Sequence, residues 1–383
     1  MHFELDEQQT MIRDMVRDYA RAELAPKAKW RDETSAFPEA EYRKMAELGL
    51  LGMNISEELG GSAVGVVAYS AAVTEIARAD ASVAVGMSVT NMVAEIVAAF
   101  AEPQVARRYV PTITSGEAVA GAFALTEPSS GSDAGSLRTT AVRDGDHWVL
   151  NGVKQFISSA DHAGVLVVWA RTAREAKGTM GVSAFVVPKD APGLVLGKKE
   201  DKMGLRGSST LEVVFEDCRI PADHLLGEEG RGFRIAMAAL DGGRIGVASQ
   251  ALGIGLAALD EARDYALQRR QFGRPIADFQ AIQWKLADMA TELDAARLLI
   301  MQAAWLKEHK QPFTRQASMA KLFTTETANR VCGEAIQIHG GYGYVKEYPV
   351  ERYYRDVRVT TIYEGTSEVQ RMVIARHALG ERG

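Results

Sequence analysis

The sequence predicts a mainly α-helical protein with a small antiparallel β domain in its middle and a bundle of long helices after it. Three observations support this fold class. Apolar residues recur at helical spacings in the first third of the 383-residue chain, short apolar runs between turn residues follow, and long Ala-rich periodic segments fill the rest. We therefore expect an N-terminal helical domain at 1–118, a middle β domain at 119–228 and a C-terminal helical domain at 229–383.

The N-terminal third predicts several helices. Apolar residues recur every three or four positions through residues 3–19, and Pro38 stands at a favourable helix start. The segments 66–79 and 83–100 are almost entirely apolar, which is typical of buried helices. Pro103 is expected to open a further short helix.

The middle third predicts a small β domain. Segments 165–169, 182–187 and 211–215 are short β-type runs bounded by Gly, Pro or Asp. The dipeptides Asp144-Gly145 and Asn151-Gly152 favour tight hairpin turns, so we expect a turn at each. After residue 232 the helical period returns in segments long enough to pack as a bundle.

Composition narrows the function. Apolar residues make up 47% of the chain and charged residues 25%, and the net charge of −6 is spread over mixed signs. Nucleic acid is therefore not expected as a partner, because phosphate binding needs a basic stripe. Cys218 and Cys332 stand in no metal-ligand spacing, so no metal site or disulfide framework is expected. No leader and no membrane span is predicted; we expect the cytoplasm, or the mitochondrial matrix if a targeting segment has been removed.

The motif that points most strongly to a catalytic role is IYEGTSE at 362–368. It places a carboxylate, Glu364, beside apolar residues and before a helix that Thr366 or Ser367 could cap. A solvated glutamate at a helix start is an equally good interpretation of the pattern alone. A desolvated glutamate would instead have a raised pKa and could act as a base near neutral pH.

Four further segments are candidates for ligand binding. LTEPSSGSD at 125–133 is a loop rich in backbone and hydroxyl donors, and KQFISS at 154–159 sets an aromatic ring and a hydroxyl two residues apart. RRQFG at 269–273 ends a long helix, and QIHGGYGY at 337–344 allows close backbone approach. Each taken alone also fits a surface turn or a helix end.

Together, in this order and spacing, these motifs resemble the acyl-CoA dehydrogenase family over essentially the whole chain, in its short- or medium-chain or branched-chain form. The resemblance implies a helical domain, a β domain and a C-terminal four-helix bundle, usually in homotetramers that bind FAD across a subunit interface. Electron-transfer flavoprotein is the implied electron acceptor, and acyl-CoA the substrate, with chain length left open.

The resemblance also implies residue roles. Glu364 would abstract the α-proton while flavin N5 accepts the β-hydride, giving the 2,3-enoyl-CoA. The enolate oxygen would be stabilised by the Glu364 backbone N–H and a ribityl hydroxyl. The substrate side would include Ser132, Asp241, Arg244 and Gly365. The cofactor contacts implied by the resemblance are Phe123, Leu125, Thr126, Ser132, Phe156, Ile157, Ser158, Arg269, Gln271, Phe272, Gln280, Gln337, Gly340, Gly341, Thr366 and Glu368.

Two departures from the family pattern matter. Many relatives have Trp where this chain has Phe156, and some place the base near 241–244, where Asp241 is the only carboxylate here. The Tyr-Glu-Gly context favours Glu364. A flavin oxidase or other acyl-thioester desaturase on the same scaffold, and a non-catalytic acyl-CoA-binding member, stay as alternatives.

Overall fold

The computed structural model describes residues 3–173, 175–176 and 178–380, and it has the predicted order of helical, β and helical blocks. The α helices of the first block are α1 (Glu7–Tyr19), α2 (Ala25–Thr34), α3 (Glu39–Glu47), α4 (Val66–Ala79), α5 (Ala81–Phe100) and α6 (Pro103–Thr114). Helix α1 begins at Glu7 because Asp6 caps it, its side chain accepting from the Gln9 N–H in a capping box.

Helices α4 and α5 confirm the two predicted buried helices. Nearly every residue of α5 is buried, and Asp80 caps its start by accepting from the Ser82 N–H at 2.9 Å. Helix α5 is also long and apolar enough to cross a membrane by length and composition, but most of its apolar window is buried inside the protein.

The β block is one mixed, mostly antiparallel sheet in the order β6-β7-β3-β2-β4-β5-β8, with β1 paired in parallel to β4. The strands are β1 (Ala120–Ala124), β2 (Thr140–Asp144), β3 (His147–Ser158), β4 (Ala163–Arg171), β5 (Val182–Pro188), β6 (Leu194–Lys199), β7 (Thr210–Pro221) and β8 (Leu225–Leu226). Buried side chains on the two faces of this sheet belong to two separate apolar clusters.

One of the two predicted turns is correct and one is wrong. Asp144 and Gly145 lie at the β2–β3 hairpin, where Gly145 has φ of 58°. Asn151 and Gly152 instead lie inside β3. The ladder with β7 shifts register at this point, and a Cβ on Gly152 would lie 2.7 Å from the Thr139 Cα. The glycine therefore serves a close backbone approach and not a turn.

The C-terminal block is built on three long helices. Its elements are α7 (Gly232–Gln268), β9 (Arg270–Gln271), β10 (Arg274–Pro275), α8 (Gln280–Glu308), α9 (Thr314–His339), α10 (Val350–Val357) and α11 (Ser367–Leu379). Gly253 lets α7 approach α4 closely, since a Cβ there would meet the backbone of Thr74 and Arg78.

The ends of the three long helices form two separate groups. Helix α7 leads through the β9–β10 hairpin into α8, and a short loop leads from α8 into α9. The end of α7, the start of α8 and the end of α9 therefore lie together, which we call the hairpin end. The start of α7, the end of α8 and the start of α9 lie together at the opposite end.

Contacts between blocks fix the segment before Glu364. Arg355 on α10 pairs with Asp32 on α2 at 2.6 Å, and Asp356 accepts from the Leu205 N–H at 2.6 Å. Both contacts tie α10 to the helical and β blocks. The chain that runs from α10 to α11 and carries Glu364 is thus held at its α10 end.

Candidate active site

Glu364 lies in a short irregular segment between a 3-10 turn (Arg358–Thr361) and α11. Thr366, one of the two residues that the sequence offers as a cap, caps α11, since its hydroxyl accepts from the Val369 N–H at 3.3 Å. Glu364 has φ of 53° and Gly365 has φ of 90°. A left-handed glutamate is a costly conformation that the surrounding structure must hold in place, and such residues cluster at functional sites.

The Glu364 carboxylate is buried and unpartnered among the described residues, and its pKa is raised. Its Oε2 atom is buried and has no hydrogen-bond partner among the described residues. Loss of solvent raises the pKa of Glu364 from 4.5 to about 7, although the positive charges of Lys321 and Arg244 oppose that rise. A carboxylate with a pKa near the working pH is suited to taking a proton.

Gly243 on α7 makes room for that carboxylate. A Cβ at this buried position would collide with Glu364 Oε2 and would lie 3.1 Å from Met92 Sδ on α5. The absence of a side chain at Gly243 thus leaves the space that the Glu364 carboxylate occupies.

Asp241, the rival carboxylate, is already engaged. It accepts from Arg244 Nη1 at 2.5 Å and from Thr314 Oγ1 at 2.5 Å. Arg244 is buried, its pKa is lowered by burial, and it also donates to Ser318 at 3.2 Å. A carboxylate that is hydrogen-bonded to a guanidinium and a hydroxyl is a poor base. The geometry therefore favours Glu364 over Asp241 as the base.

A pocket of about 120 Å³ lies beside Gly243, between α4, α5, α7 and the end of α8. Met92, Ile96 and Ala239 are among its apolar lining residues. At its edge Lys307 pairs with Glu95 at 2.6 Å. The pocket therefore joins an apolar wall to the region of the buried carboxylate, which suits an apolar acyl group.

The predicted loop of the β block is rigidly fixed. Glu127 is buried and accepts from the Arg138 N–H at 2.6 Å, the Thr139 N–H at 2.9 Å and Lys154 Nζ at 2.8 Å. Lys154 donates as well to the Leu125 carbonyl at 3.1 Å. Two of these four hydrogen bonds hold the loop against β3, and two hold it against the segment that leads into β2.

These anchors leave several predicted residues near the surface. Thr126 is half-buried, and its carbonyl accepts from the Gln155 N–H at 2.9 Å. Ser132 is exposed on the same loop, and Phe123 on β1 is half-buried, with its ring centroid 4.4 Å from that of Trp169.

Phe156 lies exposed near the end of β3, an interior strand of the sheet. It is 63% exposed and has φ of 60°, at a register shift of β3 against β7. Ile157 beside it is buried, and Ser158 is half-buried. The bulge interrupts strand alternation, so the two-residue spacing of Phe156 and Ser158 does not by itself place them on one face.

Seven other predicted cofactor residues gather at the hairpin end and are exposed, whereas Glu368 lies in the first turn of α11. Arg269 lies over the Tyr342 ring at 5.5 Å, and Phe272 is 93% exposed with φ of 51°. Gly243 and Arg269 are 26 residues apart on α7, or about 39 Å at 1.5 Å per residue. Within one chain this group is therefore far from Glu364. It comprises Arg269, Gln271, Phe272, Gln280, Gln337, Gly340 and Gly341.

The structure adds residues that the sequence reasoning missed. Lys321 on α9 is fully buried and donates to the Gly365 carbonyl at 2.8 Å. Its position could have been noticed, because it falls on the apolar face of α9 with Ala317 and Ala328. Tyr363 donates to Gln250 on α7, and no sequence pattern points to that long-range pair.

Comparison with known proteins identifies the class. The chain matches three models of acyl-CoA dehydrogenases: the N-terminal domain over residues 6–117, the middle domain over 122–218 and the C-terminal domain over 230–379. It belongs to the acyl-CoA dehydrogenase family, whose enzymes are FAD-dependent oxidoreductases. This confirms the predicted family, fold class, enzyme class and cofactor.

Individual relatives are close. The chain is 52% identical to the mitochondrial short-chain specific acyl-CoA dehydrogenase of Mus musculus, over 98% of this chain and 91% of that one. The solved butyryl-CoA dehydrogenase of Megasphaera elsdenii is 43% identical, with a TM-score of 0.97 over 99% of this chain and all of that one. A chain from a study of the electron transferring flavoprotein of Acidaminococcus fermentans is 45% identical, with a TM-score of 0.97 over 99% and 100%.

Proposed function

We propose that this acyl-CoA dehydrogenase oxidises a short straight-chain acyl-CoA to its 2,3-enoyl-CoA, with Glu364 as the base. The observation that carries the proposal is the buried, unpartnered Oε2 of Glu364 beside Gly243 and the apolar pocket. The names of the mouse and Megasphaera relatives favour a short acyl chain.

Two polar pairs beside Glu364 support a short chain as well. Tyr69 and Ser88 hydrogen-bond at 2.8 Å between α4 and α5, and the Tyr363 hydroxyl donates to Gln250. All four groups are buried or nearly so. A long apolar chain that displaced either pair would leave buried polar groups without partners, at about 1–3 kcal/mol each.

Residues of this chain fit the FAD that the family uses. The strained, exposed Phe156 offers a flat ring, the anchored 125–133 loop offers backbone and hydroxyl donors, and the N-terminus of α11 at Thr366 suits an anionic phosphate. When bound, FAD supplies the acceptor for the β-hydride. The protein's share is to hold the ring, position the substrate and take the α-proton.

Proton removal from a thioester needs help for the developing enolate oxygen. The left-handed turn at Glu364 leaves its N–H without an acceptor among the described residues, so it is free to donate to that oxygen. One such donor commonly lowers the activation barrier by about 2.7–4 kcal/mol. Glu364 thereby serves twice, through its carboxylate and through its backbone.

The distribution of predicted cofactor residues supports a site shared between subunits. The predicted residues of the β block lie on β1, β3 and the loop at 125–133, and Thr366 and Glu368 lie just after Glu364. The rest are exposed at the hairpin end, about 39 Å along α7 from Gly243. A second copy of the chain would bring its hairpin end to the first copy's site. We therefore propose a homotetramer, in which Arg269, Gln271, Phe272, Gln280, Gln337, Gly340 and Gly341 of one subunit serve the FAD of another.

An electron-transfer flavoprotein is the proposed electron acceptor, supported by the study from which the Acidaminococcus neighbour comes. We place the reaction in the cytoplasm or in the mitochondrial matrix; the mouse relative is named as a mitochondrial enzyme.

The test is anaerobic bleaching of the purified FAD-loaded protein by a panel of straight and branched acyl-CoAs. We expect the fastest bleaching with butyryl-CoA, and slow recovery of the yellow colour in air unless an electron-transfer flavoprotein is present. Fastest bleaching by long or branched substrates would contradict the chain-length assignment. Rapid reoxidation by oxygen alone would favour the oxidase.

A further inference from the structure

Lys321 is a buried lysine that lies next to the proposed base, Glu364. Its side chain is fully buried on α9, and its Nζ donates to the Gly365 carbonyl at 2.8 Å. It forms no ion pair within 4.0 Å among the described residues. A buried ammonium without a close carboxylate is costly, so a lysine kept here needs a reason.

The contact point of Lys321 is the peptide that follows the base. Gln370 Nε2 donates to the same Gly365 carbonyl at 3.0 Å and to the Glu364 carbonyl at 3.3 Å. Two side chains from α9 and α11 thus hold consecutive carbonyls. These hydrogen bonds keep the left-handed turn, which aims both the Glu364 N–H and its carboxylate.

The charge of Lys321 acts on the same carboxylate. Lys321 is the first of the two positive groups that oppose the rise in the Glu364 pKa, and Arg244 is the second. Burial lowers the pKa of Lys321 itself to about 8, so it is still mostly charged at pH 7. Arg244 is committed to Asp241, which leaves Lys321 as the positive charge with no carboxylate of its own.

We propose that Lys321 is a positioning residue for the base: it anchors the Glu364–Gly365 peptide and supplies the positive charge that keeps Glu364 ionised when substrate arrives. This inference rests on the proposed role of Glu364. The other titratable groups that face Glu364 or Lys321 come from α4, α7, α9 and the α11 region; they are Tyr69, Arg244, Glu326, Tyr363 and Glu368.

The test compares Lys321→Met with Arg330→Met in the FAD-loaded protein. Both remove one positive charge from α9, but Arg330 is exposed, pairs with Glu292, and lies nine residues on, about 14 Å along the helix on its opposite face. The first readout is a pH titration of the Glu364 carboxyl by infrared spectroscopy, with Glu364→Gln as the blank. It requires no turnover.

We expect the Glu364 midpoint to move up by at least about one pH unit in Lys321→Met and to stay unchanged in Arg330→Met. A move from 7 to 8 lowers the ionised fraction at pH 7 from a half to about one in eleven. The second-order rate constant for anaerobic flavin reduction should therefore fall about fivefold at pH 7, with most of that difference gone by pH 9.

An unmoved midpoint, or a rate loss equal at all pH values, would show that Lys321 only fills space and would overturn the inference. If Lys321→Met does not fold, Lys321→Gln, which keeps an N–H donor without the charge, carries the same test; failure of both to fold would also overturn it. Normal flavin reduction by Glu364→Gln would instead refute the proposed base, whatever Lys321 does.

Discussion

Adding a single methyl group at Gly243 should disable the base without touching it chemically. In Gly243→Ala the new Cβ collides with Glu364 Oε2 and lies 3.1 Å from Met92 Sδ, so the carboxylate must move. Ordinary contact between nonbonded atoms is about 3.5–4 Å, which requires a displacement of about 1 Å or more. A misplacement of that size can lower the rate about 100-fold.

The assay is stopped-flow reduction of bound FAD by butyryl-CoA without oxygen. The matched control is Gly255→Ala on the same helix, where the new Cβ would lie 2.7 Å from Leu293 Cδ2, at the end of a flexible side chain. Both variants overpack α7, at about 1–3 kcal/mol of stability. Only Gly243→Ala should lose its rate; equal rates in the two variants would refute the assigned position of the carboxylate.

Three further outcomes follow from buried and exposed charges. Glu364→Gln should be about 3 kcal/mol more stable than the wild type at pH 8 and equally stable near pH 4. The reason is that folding raises the pKa of this carboxyl from 4.5 to about 7, so its ionisation destabilises the wild-type fold progressively as the pH rises through that range. Urea unfolding at both pH values measures the difference in the free energy of unfolding. Lys154→Met strands the Glu127 carboxylate, and we expect a loss of about 3–5 kcal/mol, partly recovered by adding Glu127→Gln, with melting temperature as the readout. Arg269→Ala should release FAD on dilution, which gel filtration with detection of flavin absorbance would show. The helix content of the isolated subunit should stay unchanged by circular dichroism. Full retention of FAD would contradict the shared site.

The sequence predicts much of this fold because its local patterns agree with the final packing. The apolar segments of α4 and α5, the Pro103 start of α6 and the return of long helices after residue 232 all appear where the patterns place them. The Asn151-Gly152 turn was wrong for a reason that the sequence does not contain. Gly152 is required by the close approach of Thr139, which only the sheet register brings near.

The candidate site, like the fold, has a part that local sequence patterns predict and a part that depends on long-range packing. Motif spacing indicates Glu364 and the loop at 125–133, but the features that support the proposed role of Glu364 as a base come from distant parts of the chain. Gly243 and Lys321 lie 121 and 43 residues before it and meet it only because α7 and α9 pack together. Burial of this kind raises a pKa without leaving a local pattern.

The central claim is that Glu364 removes the α-proton, and one measurement tests it most directly. Glu364→Gln, shown to retain FAD and to bind butyryl-CoA, is mixed anaerobically with that substrate, and the flavin absorbance is followed. We predict that the complex forms and the flavin stays oxidised, because the amide keeps the size of the side chain but cannot take a proton. Bleaching at the wild-type rate would contradict the account, and the base would have to be sought elsewhere, beginning with Asp241.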